Sequence, residues 1–128
     1  MVKEVIVPEN VMPARGFSHA IKAGNTIYVA GQTATDEEGN IVGKGDIVAQ
    51  TDRAYENIKR ILEAAGASIT DIVMLNMYCT DMDGFAKTGE ARKKHFGKHF
   101  PAATVVQIDR LLLPDAMIEI EAIAVLDS

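Results

Sequence analysis

Glu119 and Glu121 stand two residues apart in a run, Ala116 to Val125, that is otherwise mostly apolar. At the two-residue period of a strand, both carboxylates leave the same face. A carboxylate on an apolar surface is costly unless it is paired or hydrogen-bonded. Its pKa rises there, which suits a group that handles protons or positions a water. Structural ion pairs across an interface would use the same two residues, and the strand alone leaves both uses open. His19 lies with Arg15, Phe17 and Ser18 in a polar cluster at a strand start, a candidate ligand contact. His95 and His99 are four apart, a spacing at which a helix can share a metal. No third ligand accompanies them, and Lys93, Lys94 and Lys98 would repel a cation, so they read as a solvated helix end. Cys79 sits in an apolar strand, the place of an inert buried thiol rather than a nucleophile. Asp36-Glu37-Glu38-Gly39 has the wrong spacing for a calcium loop and reads as a solvated turn. No phosphate-binding loop, GxGxxG or GxSxG motif is present.

These residues must be held by the elements around them. Lys3 to Val7 alternates weakly as a strand and stops at Pro8. Ser18 to Lys22 and Thr26 to Ala30 read as a hairpin across Gly24-Asn25. Ile41-Val42 follows a turn as a possible short strand. The strongest pattern is a helix from Asp46 to Ala65, with Ile47, Thr51, Ala54, Tyr55, Ile58, Ile61, Leu62 and Ala65 on one face. Asp46 is its expected N-cap and Gly66 its stop. Ile72 to Cys79 reads as a strand and Phe85 to His99 as a second helix broken by Pro101. Ala103 to Ile108 and Ala116 to Val125 complete the order β-β-β(-β)-α-β-α-β-β. The expected architecture is α+β, one domain over 1–128, with both helices on one face of a sheet.

The chain has 128 residues, a formal charge of −5, 48% apolar residues and one cysteine. Such a length buries a core without staples. One cysteine excludes a disulfide framework and any cysteine-built metal site. Net acidity argues against a nucleic-acid surface. No apolar run approaches the ~20 residues of a membrane span, and charges occupy the first residues where a leader would be apolar. The expectation is a soluble cytoplasmic protein with no nucleic-acid or membrane partner.

Both faces of the predicted sheet are apolar. Ile118, Ile120, Ala122 and Ala124 oppose Met117, Glu119, Glu121, Ile123 and Val125. Val73, Leu75, Met77 and Cys79 oppose Ile72, Met74, Asn76 and Tyr78. An antiparallel sheet with one wet face alternates cleanly with polar residues. Two helices cover one face only, so the other needs a second copy of the chain or a sheet curled on itself.

Arg15-Gly-Phe-Ser-His-Ala, Gly24-Asn with Val29-Ala-Gly-Gln32, Asn57-Ile with Leu62-Glu-Ala-Ala-Gly66, Asp81-Met-Asp-Gly-Phe-Ala86, Phe100-Pro-Ala102 and Ile118-Glu-Ile-Glu-Ala-Ile-Ala124 occur in this order along nearly the whole chain. Together they resemble the YjgF/RidA (reactive intermediate deaminase) family. The resemblance implies a chorismate-mutase-like α+β fold and a homotrimer with a central barrel and ligand clefts between subunits. It implies cofactor-free hydrolysis of enamines and imines, such as 2-aminoacrylate and 2-iminopropionate, to a 2-oxo acid and ammonia. It assigns the water-positioning glutamate to Glu119 and a backbone contact to Gly31. Its implied substrate-binding set is Phe17, Ala30, Gly31, Gly89, Ala103, Thr104 and Val105, to which the polar cluster at the strand start adds His19 and Arg15.

Three positions depart from the family pattern. Phe17 stands where tyrosine is frequent, so the ring is kept and the hydroxyl lost. Gly89 replaces a polar residue, often asparagine. Ala103 occupies the place of an arginine that grips the substrate carboxylate, and the segment from Ala103 to Pro114 is longer than usual. Losing one such charge-assisted contact costs ~1.5–3 kcal/mol. The expected substrate is therefore not the usual short 2-imino acid, unless Arg15, Lys22 or Arg110 reaches the cleft. A non-catalytic trimer that binds a metabolite or partner is the alternative, and a vestigial cleft with structural glutamates is the third reading.

Overall fold

The computed structural model describes residues 2–127. Six strands form one sheet in the order β1-β2-β3-β6-β4-β5. They are β1 (Lys3–Ile6), β2 (Ala20–Ala23), β3 (Thr26–Gln32), β4 (Ile72–Cys79), β5 (Ala102–Gln107) and β6 (Ile118–Val125). The helices are α1 (Ile47–Ala64), the single turn α2 (Met82–Phe85) and α3 (Gly89–Phe96). All pairings are antiparallel except β4 with β5. The sheet is mixed, with the helices packed on one face, as the sequence pattern implies.

Helix α1 starts where expected. The Asp46 carboxylate accepts from the Val48 and Ala49 amides at 3.1 Å, satisfying two otherwise free donors. Its apolar face lies on β3 and β6, where Tyr55, Ile58, Ile61 and Leu62 are fully buried with Ile27, Ile118 and Ile120. Gln50, on the same face, is also buried. Its amide donates to the Gly43 and Asp115 carbonyls and accepts from the Met117 amide, which ties α1 to the loop before β6.

Three local readings are corrected. The helix predicted over Phe85 to His99 is two pieces. The Thr88 hydroxyl bonds the Phe85 carbonyl at 2.7 Å, and glycines at 84 and 89 weaken the run. It ends at Gly97, with φ of 66°, before Pro101 is reached. Ile41 forms only an isolated bridge with Thr35. In β4 the alternation slips at its start: Ile72 pairs with Ala124 and Met74 with Ile123. This bulge buries Ile72 and turns Val73 outward, the reverse of a regular strand.

The face away from the helices carries a continuous apolar row. Val5, Ile21, Tyr28, Ile123, Met74 and Ala102 are cross-strand neighbours through all six strands. Beside it runs Glu121–Asn76–Thr104, then Glu119–Tyr78–Val106. No described element of the chain packs on this face, and Val5 and Tyr28 are about half exposed. The described residues do not curl back to cover it.

Candidate active site

Strand β6 presents both glutamates on the open face, and the strand beside it makes room for one of them. Val29 pairs with Ala122 and Gln32 with Ile120, so Ala30 and Gly31 together oppose Glu121. A bulge of this kind re-aims backbone and side chains locally. A Cβ on Gly31 would overlap the Glu119 carboxylate, so only glycine leaves that notch free.

The two carboxylates are not equivalent. Glu121 accepts from the Tyr78 hydroxyl at 2.9 Å, and that bond pushes the phenol pKa up. Glu119 has no hydrogen-bond partner among the described residues. Burial, and then the neighbouring Glu121 charge, raise its carboxyl above the ordinary glutamate value. An unpartnered carboxyl of raised pKa is suited to exchanging a proton with a bound water.

The first hairpin supplies the adjoining wall. His19 is buried beneath it, and its Nε2 lies 2.7 Å from the Met12 carbonyl. Its Nδ1 lies 3.1 Å from the Gln32 amide nitrogen, which also donates to the Ala30 carbonyl at 3.1 Å. A carbonyl only accepts and an amide N–H only donates, so Nε2 carries the proton and Nδ1 accepts. The Ala30 amide donates back to the His19 carbonyl at 2.8 Å. His19 and Gln32 thus brace the Ala30-Gly31 bulge. Phe17, half exposed, packs its ring edge-on against His19 at 5.3 Å. Ser18 is shared by two depressions, one of about 420 Å³ that reaches Ala30 and Glu121 and one of about 430 Å³ under Phe17 and His19. The bracing role of Gln32 and the Tyr78–Glu121 bond were not legible from residue types, since each needs two strands in register.

The remaining predicted residues lie elsewhere. β5 is the sheet edge, three positions from β3, or ~14 Å at ~4.8 Å per strand. Ala103 pairs with Leu75 and Val105 with Met77, on the helix side, whereas Thr104 pairs with Asn76 on the open side. Gly89 opens α3. Within one chain, Ala103, Val105 and Gly89 are therefore not brought to Glu119. Lys22 pairs with Ile27, whose side chain is in the core, so it leaves on the helix side as well. Arg15 and Arg110 are exposed on loops.

Two further expectations change. His95 is not a solvated helix end: its side chain is 7% exposed, 2.9 Å from Asp52 and tilted against Tyr55. The acidic turn is more than solvated. Glu37 binds Arg53 at 2.8 Å and Arg60 at 3.0 Å, and these guanidiniums lower its pKa. Cys79 is buried, and burial pushes its thiol up. Among the described residues, no three His, Cys, Asp or Glu side chains converge on a metal position. None of the described helices is long and apolar enough to cross a membrane.

A mixed sheet with helices on one face and a carboxylate pair on the other defines an α+β protein of YjgF/RidA type. The chain belongs to that family, whose model, described as endoribonuclease L-PSP, matches residues 8–126. It is 48% identical to a RutC family protein of Pyrococcus abyssi over 97% of this chain and 98% of that one. A 3-aminoacrylate deaminase RutC of Acinetobacter baylyi is 36% identical over 97% and 98%. A 2-iminobutanoate/2-iminopropanoate deaminase of Dermatophagoides farinae is 29% identical over 99% and 96%. Among solved structures, the E. coli YjgF gene product superposes with a TM-score of 0.87 at 35% identity, covering 95% of this chain and 98% of that one.

Proposed function

We propose that the protein is a cofactor-independent deaminase of small enamines or imines, acting at clefts between subunits of a homotrimer. The observation that carries this reading is Glu119, an unpartnered carboxyl of raised pKa in the notch left by Gly31. The named activities of the Acinetobacter baylyi and Dermatophagoides farinae relatives support it. In this mechanism an enamine first takes a proton at carbon to become an iminium. Water then bonds to the C=N carbon as Glu119 takes its proton. The electron pair moves to nitrogen, which is protonated from Glu119. As the C–N bond breaks, the hydroxyl proton passes to Glu119, the C=O bond forms and ammonia leaves, and that proton replaces the one the enamine carbon took up. The Gly31 backbone and the Phe17 ring line the cleft.

The same geometry supports the assembly. Ala103 and Val105 can line a site with Glu119 only if a second copy brings its β5 there. The apolar row on the open face supports such packing, because an uncovered apolar surface across six strands favours association. In solution the mass is expected at three times 13.8 kDa by light scattering. A stable monomer overturns the shared cleft.

Ala103 makes a short 2-imino acid a poor substrate. With 2-iminopropanoate generated in situ, wild type is slow, and Ala103→Arg raises kcat/KM by about ten- to a hundred-fold by restoring a bidentate contact. Fast wild-type turnover that Ala103→Arg does not raise overturns this assignment. Metabolite-dependent stabilisation with no ammonia release from any enamine or imine would favour a binding protein.

A further inference from the structure

The relatives' named substrates all carry a carboxylate beside the reacting nitrogen compound. In this chain the proposed reacting centre already holds two carboxylates, Glu119 and Glu121. An anion brought against them needs a cation to balance its charge. Most arginines are committed elsewhere. Arg53 and Arg60 are held by Glu37, and Arg92 by the Thr88 hydroxyl over the Phe85 ring. Lys22 leaves on the helix side. Arg15 and Arg110 make no ion pair or side-chain hydrogen bond among the described residues.

Arg15 is the better placed of the two. Gly16, with φ of 81°, turns the chain directly between Arg15 and Phe17. Arg15, Phe17 and Leu112 line one depression of about 360 Å³, and Phe17 also lines the depression that His19 borders. Two residues of extended chain span ~7 Å, within reach of an arginine side chain. Glu38 borders the same depression and makes no ion pair with Arg15.

We propose that Arg15 holds the carboxylate of an anionic enamine or imine substrate, from the Phe17 side of the cleft. This rests on the deaminase reading above. A guanidinium fork fits a carboxylate bidentately, so the contact sets substrate choice as well as affinity.

The test uses one enamine with and without its charge, 3-aminocrotonate and its ethyl ester. Hydrolysis is followed by ammonia release. In Arg15→Gln, kcat/KM for the acid falls about ten- to a hundred-fold, chiefly through KM, and falls far less for the ester. Arg15→Lys keeps part of the preference, because the charge remains and the fork is lost. Added salt weakens acid turnover by wild type more than by Arg15→Gln. An acid-to-ester ratio that survives Arg15→Gln, or that collapses only in Arg110→Gln, overturns the proposal while leaving the deaminase reading intact. If wild type hydrolyses neither compound, thermal-shift titration with pyruvate decides the role of Arg15, and the deaminase reading fails if no other enamine or imine releases ammonia either. A dissociation constant raised about tenfold or more by Arg15→Gln sustains it. Equal stabilisation of both proteins, or none of wild type, overturns it.

Discussion

Replacing Glu119 by glutamine lowers kcat/KM for enamine or imine hydrolysis by about 10²–10⁴-fold, the range of a lost general acid–base group. Glutamine keeps the size of the side chain, so the Gly31 notch remains filled and the bulge keeps its register. What is lost is the ability to take and return a proton. KM changes little if the group acts mainly on water in the transition state. The substitution has an opposite effect on stability. The carboxyl of Glu119 is raised in the folded chain by burial and by Glu121. Its stability contribution is therefore fully present below the ordinary glutamate value of 4.5 and is lost as pH rises through the raised folded value. Glu119→Gln is expected to melt above wild type at pH 8 and to lose that advantage at pH 4. Melting curves at both pH values, at one protein concentration, check this. A variant that loses activity and gains no alkaline stability would show that Glu119 is not destabilising as the ionised form. A variant of full activity would remove it from the chemistry.

Asn57→Leu is the second large effect, and it acts on the scaffold. Asn57 is buried on α1, and its amide donates to the Thr33 carbonyl at 3.1 Å and the Thr35 carbonyl at 2.9 Å. Its carbonyl accepts from Arg53 Nε at 3.2 Å. These bonds fasten the chain that leaves β3 just beyond Gln32. Leucine fills a similar volume but removes both donated bonds, leaving the Thr33 carbonyl with the Thr35 amide alone and the Thr35 carbonyl with Arg53 Nε alone. Each lost bond is worth ~0.5–1.5 kcal/mol, so the total loss is about 1–3 kcal/mol. Chemical denaturation is expected to show a lower midpoint with an unchanged slope. A midpoint within a few tenths of a kcal/mol of wild type would show that water replaces the lost donors.

Much of the framework was legible from residue patterns because it depends on local periodicity. The α1 helix was read to within a residue, since its apolar stripe, Asp46 cap and Gly66 stop all act within a few residues. Strand β4 was read at its full length. Some errors arose where a distant partner overrides local preference, and one where a local side chain competes with the backbone. The Ile72–Val73 slip depends on pairing with β6, and the break at Thr88 depends on a side chain competing with the helix backbone. His95 looked solvated among lysines, yet Asp52 and Tyr55 of α1 bury it.

The candidate site divides in the same way. By itself the sequence determined that Glu119 and Glu121 share a face of an apolar strand, because side chains alternate in any strand. It also determined that the sheet has more apolar surface than two helices can cover. Only the tertiary structure decided which glutamate is free. That choice needs β3, β4 and β6 in register, with Tyr78 bonded to Glu121 and the Gly31 bulge opened beside Glu119. It also decided that Ala103 and Glu119 lie on opposite sides of the sheet, with β4 between their strands. Strand order and register are set by long-range hydrogen bonds, and no local pattern of residues encodes them.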